Sequence, residues 1–324
     1  MSAAESQRSR ALPGVRRRRW RGATTRFVSR ITVHLAGRHY LRAQGTRVLK
    51  GLGVGVGYAA VIEPRLIERT HVEFQLPGLH RALDGYRIVH LTDIHYNLVA
   101  GRGFLTRVVD LANALDPDLV VLTGDFVTHD AGRVHGCFEL LSGLQAPDGL
   151  LATRGNHDYR CGDEAFRRAC ESAGVRLLEN EHLLVHPVRH RGPVVPREQE
   201  EAGILFGGVA DLWEGLADPT RAFAGAPSGY PRILLSHNPL VADLLTRRHD
   251  VALQLSGHTH GGQIRPFNRP VALFSGGSTR YSAGVAQAAH TTVFISRGVG
   301  TSALHMRWNC RPEITLITLH PTNQ

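Results

Sequence analysis

Residues 119–125 read Leu-Val-Val-Leu-Thr-Gly-Asp: an apolar run that stops at a glycine and delivers an aspartate directly after it. A short run of this kind, bounded by a turn signal, reads as a buried β-strand. Four other segments follow the same plan. Residues 87–91 lead into Asp93-Ile94-His95, and residues 150–153 into Gly155-Asn156-His157-Asp158. Residues 233–235 lead into Ser236-His237-Asn238-Pro239, and residues 251–255 into Gly257-His258-Thr259-His260-Gly261-Gly262. In α/β sheets, sites form beyond the carboxyl ends of the strands. A single D-x-H, G-D or H-x-H is a turn or a structural detail. Five strand ends that all present Asp, His or Asn point to one shared site.

Outward from these five, residues 204–209, 292–295 and 314–319 also read as strands. Residues 104–115 carry apolar side chains at helical spacing, and residues 163–172 form a second candidate helix. Residues 189–201, polar and containing proline, read as a loop between two strands. The alternation begins near His71 and predicts an α/β fold for residues 71–324. There is no internal repeat.

The 324 residues suffice for one large α/β domain or two ordinary ones. The net charge of +10 is concentrated: positions 1–50 hold thirteen Arg or Lys against one acidic residue, so the rest of the chain is near neutral. This excludes a uniformly basic nucleic-acid-binding body, and no specific nucleic-acid partner is expected. The four cysteines, Cys137, Cys161, Cys170 and Cys310, form no C-x-x-C pair and lie outside the histidine motifs. Buried free thiols are expected.

Residues 1–47 form a basic N-terminal segment. Its first 25 residues read as disordered. Beyond them Arg26, Arg30, His34, Arg38 and Arg42 recur every four residues, with Phe27, Ile31 and Leu35 beside them. That spacing fits an amphipathic helix on an anionic membrane, and equally a solvated basic tail. Residues 48–70 contain an apolar, glycine-rich run over 49–62. It is short of the ~20 residues that a membrane span needs. It reads as a short anchor that dips into the membrane or as the apolar part of an export signal. Gly51, Gly53, Gly55 and Gly57 are not a dinucleotide loop: no strand pattern precedes them and no acidic partner follows at the right distance.

The residue types at the five strand ends select a metal. Asp and Asn offer oxygen, His offers nitrogen, and no Cys takes part, which disfavours a structural zinc site and leaves Mn, Fe or Zn. Two divalent cations against Asp93 and Asp125 leave a net positive site suited to a phosphate ester. Two ions ~3.5–4 Å apart suit in-line displacement at phosphorus.

At these motifs the sequence resembles the calcineurin-like metallophosphoesterases, over about residues 71–324 and with all five blocks in the family's order. The resemblance implies a four-layer sandwich of two mixed β-sheets flanked by helices. It implies two divalent metal ions, manganese foremost. Asp93, His95 and His260 would bind the first, Asp125 would bridge both, and Asn156, His237 and His258 would complete the second. His157 would act with Asp125 in catalysis, at the leaving-group oxygen or on the transition state. Asp158 would orient His157 or cap the following turn. Arg265 and Arg297 follow ligand-bearing or glycine-rich loops and are weaker candidates to face a phosphate.

A narrower likeness rests on residues 257–267 (GHTHGGQIRPF), on residues 293–319 and on the entry at residues 61–64. These are similar to a bacterial, membrane-linked subgroup of phosphodiesterases that includes the UDP-2,3-diacylglucosamine pyrophosphatase type, which acts in lipid A biosynthesis. Some members of the subgroup carry a twin-arginine export signal. Here the corresponding stretch, Thr46-Arg47-Val48-Leu49-Lys50, has one Arg. The implied enzyme is a metal-dependent phosphoric ester or anhydride hydrolase at the bacterial inner membrane. A nucleotide-sugar substrate would place it on the cytoplasmic face, and an exported form would act on another substrate. Its partners would be a phosphate-containing small-molecule or lipid-linked substrate and a membrane surface. The alternatives are a nucleotide, phosphoprotein or cell-envelope substrate, and a non-enzymatic scaffold, against which the complete donor set argues.

Overall fold

The computed structural model describes residues 16–20, 55–97, 100–128, 130–192, 202–270 and 280–322. Two mixed sheets pack face to face. In chain order the strands are β1 (Arg16–Trp20), β2 (Glu68–Leu76), β3 (Tyr86–Leu91), β4 (Leu119–Thr123), β5 (Leu150–Thr153), β6 (Val175–Leu177), β7 (Glu181–Val185), β8 (Ile204–Gly208), β9 (Arg232–Leu235), β10 (Val251–Ser256), β11 (Gly284–Gln287), β12 (Thr292–Ile295) and β13 (Glu313–Pro321). The first sheet has the order β1-β2-β13-β3-β4-β5-β6 and the second β11-β12-β10-β9-β8-β7. Parallel runs make up one half of the first sheet, β3 to β6, and the centre of the second, β12, β10, β9 and β8.

Strand alternation sorts the apolar residues into layers. Along β3 and β4, Ile88, Leu119 and Val121 face the second sheet and meet Phe206, Ile233, Leu255 and Phe294. Val89, Leu91, Val120 and Leu122 face the other way, toward the helices. These helices are α1 (Arg102–Asn113), α2 (Val134–Leu141) and α3 (Asp163–Ser172). They bury Leu105 and Val108, Cys137 and Phe138, and Phe166 and Cys170. The outer face of the second sheet is covered more thinly, by the one-turn helix Pro219–Ala222 and the 3₁₀ segment Pro239–Leu244. The sandwich therefore has its four layers, with one outer layer built mostly of short turns.

The eight strands expected from the apolar runs are present: four are longer by one to three residues, three have the expected bounds, and Ile204–Gly208 is one residue shorter. The helix expected at 104–115 begins earlier, at Arg102. β2 begins at Glu68, ahead of the domain boundary drawn at 71. Three other features differ from the reading of the sequence. α2 is only eight residues long, too short for its period to stand out, although Val134, Cys137, Phe138 and Leu141 are its buried face. Arg16–Trp20, read as disordered, pairs antiparallel with β2, whose outer edge would otherwise leave its ladder groups unpaired. Residues 55–62, in the apolar segment, form a short helix ending in a π-helical turn, Tyr58–Ile62. The amphipathic pattern over 26–42 lies outside the described residues, as does 193–201 of the expected loop. Among the described residues no helix is long and apolar enough to cross a membrane. All four cysteines are buried and free.

Candidate metal centre

The turns after β3, β4, β5, β9 and β10 converge at one edge of the sandwich. Their ligand-type residues adopt backbone that L-amino acids avoid: φ is 52° at Asp93, 46° at His95, 56° at Asp125, 71° at His258 and 51° at His260. Left-handed non-glycine residues clustered in one place are stored strain, and such strain collects at functional sites. The turns also approach closely. A Cβ on Gly257 would collide with Thr92 and Asp93, and one on Gly155 with Asp125, so glycine is required at both positions.

The donor atoms fall into two groups. In one, His95 Nε2 lies 3.1 Å from His260 Nε2, and His260 Nε2 lies 3.2 Å from Asp93 Oδ1. In the other, His258 Nδ1 lies 3.1 Å from His237 Nε2 and 3.2 Å from Asn156 Oδ1. Asp125 Oδ2 sits between them, 3.4 Å from His95 Nε2 and 3.3 Å from His237 Nε2. Donor atoms of Asp93, His95 and His260, and separately of Asp93, Asp125 and His237, lie within 4.8 Å of one another. All seven residues expected at the site are thus brought together.

The donor set fits cations. Imidazole nitrogens that face each other at 3.1 Å converge on a common point, where a positive ion can take their lone pairs in place of a proton. Burial pushes His258 down to about 3, helped by the charge of His237, and holds His260 well below its usual range, helped by His95. Both are kept in the neutral form that binds metals. Burial, which alone would raise Asp125, is outweighed by His237 and His95, so its carboxylate is held well below the usual range. Burial would likewise lower His237, yet Asp125 and Asp93 lift it to about 10. That pocket concentrates negative charge and attracts positive charge. His237 Nδ1 donates to the Thr123 carbonyl at 2.7 Å, which fixes the tautomer and leaves Nε2 facing Asp125.

His157 stands at the margin of both groups. Its backbone N–H donates to Asp125 Oδ1 at 3.0 Å, and its ring packs edge-on against His95 at 5.1 Å. Nδ1 donates to the Thr128 carbonyl at 2.9 Å, which assigns proton exchange to Nε2.

Among the neighbours, Asp158 was misjudged from sequence, Trp213 was missed, and the two weaker arginine candidates have partners elsewhere. Asp158 neither orients the His157 ring nor caps a turn. Its buried carboxylate accepts from the backbone N–H groups of Asp125, Phe126 and Gly155, tying the β4 and β5 turns together. Arg297 does not face the site: it is held at 3.0 Å by both Glu68 and Glu313. Arg265 donates to the carbonyls of Gly261 and Asn268. Trp213 was not anticipated. Half exposed, it packs edge-on against His258 with ring centroids 4.3 Å apart. The Asp211 carboxylate accepts the N–H groups of Trp213 and Glu214 and so sets that loop. Only this local turn was readable in sequence, because Trp213 and His258 are far apart in the chain.

Residues 86–262 match the family described as calcineurin-like phosphoesterase. The chain belongs to this family. It is 30% identical over 282 residues to the phosphodiesterase YaeI of Escherichia coli, an alignment that covers 85% of this chain and 97% of that protein. It is 33% identical over 268 residues to a zebrafish (Danio rerio) transmembrane protein with a metallophosphoesterase domain, covering 79% of this chain and 57% of that one. It is also similar to the UDP-2,3-diacylglucosamine pyrophosphatase LpxG of Chlamydia muridarum, 29% identical over 245 residues, 64% of this chain and 73% of that protein. Family membership and these relatives make the chain a metal-dependent phosphoester hydrolase; the family uses a dinuclear divalent metal site, and the two donor groups are its candidate ligands here.

Proposed function

We propose that the protein is a membrane-associated phosphodiesterase or pyrophosphatase acting on a lipid-linked nucleotide sugar of the UDP-2,3-diacylglucosamine type. The observation that carries the hydrolytic part is the pairing of two donor groups about one shared carboxylate, with His157 beside it. In this reading Asp93, His95 and His260 hold one divalent ion, Asn156, His237 and His258 the other, and Asp125 both; manganese is the preferred metal. Two cations held there would activate water at neutral pH and neutralise charge growing on the phosphoryl oxygens.

The chain's own residues do the rest. Asp93 and Asp125 contribute two negative charges against the four positive charges of the ions, while Asn156 and the neutral histidines contribute none. The site therefore draws in an anion. His157 Nε2 gives its proton to the leaving oxygen, an effect worth ~10²–10⁴-fold. Trp213 forms the wall beside His258, where it bounds the leaving group. The lipid-linked substrate is supported by the likeness to the pyrophosphatase, and membrane association by the basic N-terminal segment and the transmembrane relative.

The full chain, purified in detergent and supplied with Mn²⁺, is assayed against UDP-2,3-diacylglucosamine and against a simple phosphodiester, with Asn156→Ala as the blank. Metal-dependent release of UMP and the acylated sugar phosphate, absent from the blank, is the expected result. Turnover of the simple diester alone would sink the lipid-linked substrate, leave the phosphoesterase, and favour a soluble or cell-envelope diester.

A further inference from the structure

We infer that residues 55–65, 263–270 and 301–311 form one membrane-docking face, which seats the metal centre against a bilayer containing anionic lipid. The inference gives the lipid-linked reading its physical interface and rests on that reading for its purpose.

Ten large apolar side chains are exposed among the described residues, and six of them sit on these three segments: Val56, Val61, Ile62, Phe267, Leu304 and Trp308. The segments hold one another. The Arg307 N–H donates to the Ala59 carbonyl at 2.8 Å, and Arg265 N–H to the Trp308 carbonyl at 2.9 Å. A Cβ on Gly55 would meet the Trp308 ring at 3.8 Å. Gln263 Nε2 donates to the carbonyls of Ser302 and Leu304. An apolar surface gathered in this way marks an interaction site.

Phe267 is the sharpest feature. It is 96% exposed, and its backbone lies at φ 52°. A bulky residue held in left-handed backbone, with its ring in water, costs free energy twice over. A partner that takes up the ring removes the second cost.

Charge identifies the partner. Among these segments the exposed or half-exposed charged side chains are Arg65, Arg265, Arg269 and Arg311. The one acidic residue, Glu63, is buried and accepts the Cys310 N–H at 2.7 Å. The chain that arrives at Gly55 is the basic segment with Arg26, Arg30, Arg38, Arg42, Arg47 and Lys50. Apolar tips among cations, fed by a basic arm, match a bilayer with anionic headgroups. A second copy of the same face would set these arginines against their like. His260 and Gln263 stand on one turn, Gln263 N–H donating to the His260 carbonyl at 3.0 Å, so the face and a metal donor belong to one piece of structure.

The chain has three tryptophans, so Trp20→Phe with Trp213→Phe leaves Trp308 as the single reporter in the full-length protein. It is mixed with vesicles of phosphatidylcholine and phosphatidylglycerol brominated in the acyl chains, and with vesicles of phosphatidylcholine alone. The expected result is a blue shift and loss of most Trp308 emission with the anionic vesicles, weakened by salt. Phe267→Ser and Leu304→Ser, checked for an unchanged melting temperature, should each lower vesicle partition by on the order of tenfold. Vesicle binding with Trp308 unquenched would overturn the inference and assign binding to the N-terminal segment alone. A blue shift without vesicles that grows with protein concentration would overturn it in favour of self-association. Hydrolysis of a soluble diester by Phe267→Ser and Leu304→Ser in the chain that keeps Trp213 separates failure of the face from failure of the enzyme.

Discussion

Two buried charged clusters are neighbours, with Gly298, next to Arg297, packed against Asp93, and they are built on opposite plans. Around Arg297 every charge is answered. Its guanidinium bridges Glu68 and Glu313, and the neighbouring, fully buried Arg307 donates to the carbonyls of Arg297, Gly298, Gly300 and Cys310. Around Asp125 the charges are gathered and left in tension: imidazole nitrogens face each other, two carboxylates share one pocket, and the ligand backbones are left-handed. The first cluster holds the fold. The second is held by the fold, and stays in place because glycines, Asp158 and the carbonyl of Thr123 leave its side chains no other position. A complete set of hydrogen bonds is the mark of a structural site, and donors aimed at one another are the mark of a ligand's place.

Breaking each cluster should give opposite signatures. Asp125→Asn is expected to lower phosphodiester turnover by on the order of 10³-fold or more, since it removes the carboxylate shared by both donor groups. It should shift the melting temperature far less than the structural changes below do. His157→Ala should lower kcat by about 10²–10⁴-fold while the bound metal stays at the wild-type level; metal analysis beside steady-state kinetics checks both halves. Arg297→Met works the other way. It leaves Glu68 and Glu313 buried without their cation, and denaturant unfolding should show a loss of about 3–5 kcal/mol.

The smallest effect sharpens the comparison by pH. Burial would raise the Glu313 carboxyl, but Arg297 outweighs it and holds it at about 2 against an ordinary 4.5. A carboxyl depressed in the folded state contributes stability above its unfolded value and loses it as pH falls through the folded one. Stability from this pair should therefore fade between pH 4.5 and about 2, and acid titration of the melting temperature should show that loss shrunken in Glu313→Gln.

The sequence carried the donor groups because each motif is local: an apolar run, a turn, then a ligand within two or three residues. The period-two pattern of β3 and β4 carried the layers in the same way. What it did not carry is set by contacts across the fold. Asp158 is answered by the N–H groups of Asp125 and Phe126, more than thirty residues earlier in the chain, as well as by that of Gly155. Arg297 could be read as a phosphate ligand until Glu68, at the other end of the domain, was seen to hold it. Trp213 meets His258 only once β8 and β10 are in one sheet. The arginine-rich β1 runs against composition, because an open strand edge decides its conformation.

The central claim is that two cations share Asp125. It is tested most directly by counting metal in protein loaded with Mn²⁺ and desalted, for the wild type, His95→Ala and His237→Ala. The account predicts about two ions per wild-type chain and about one in each variant, since each histidine belongs to a different donor group. Two ions retained in either variant, or a single ion in the wild type, would contradict it.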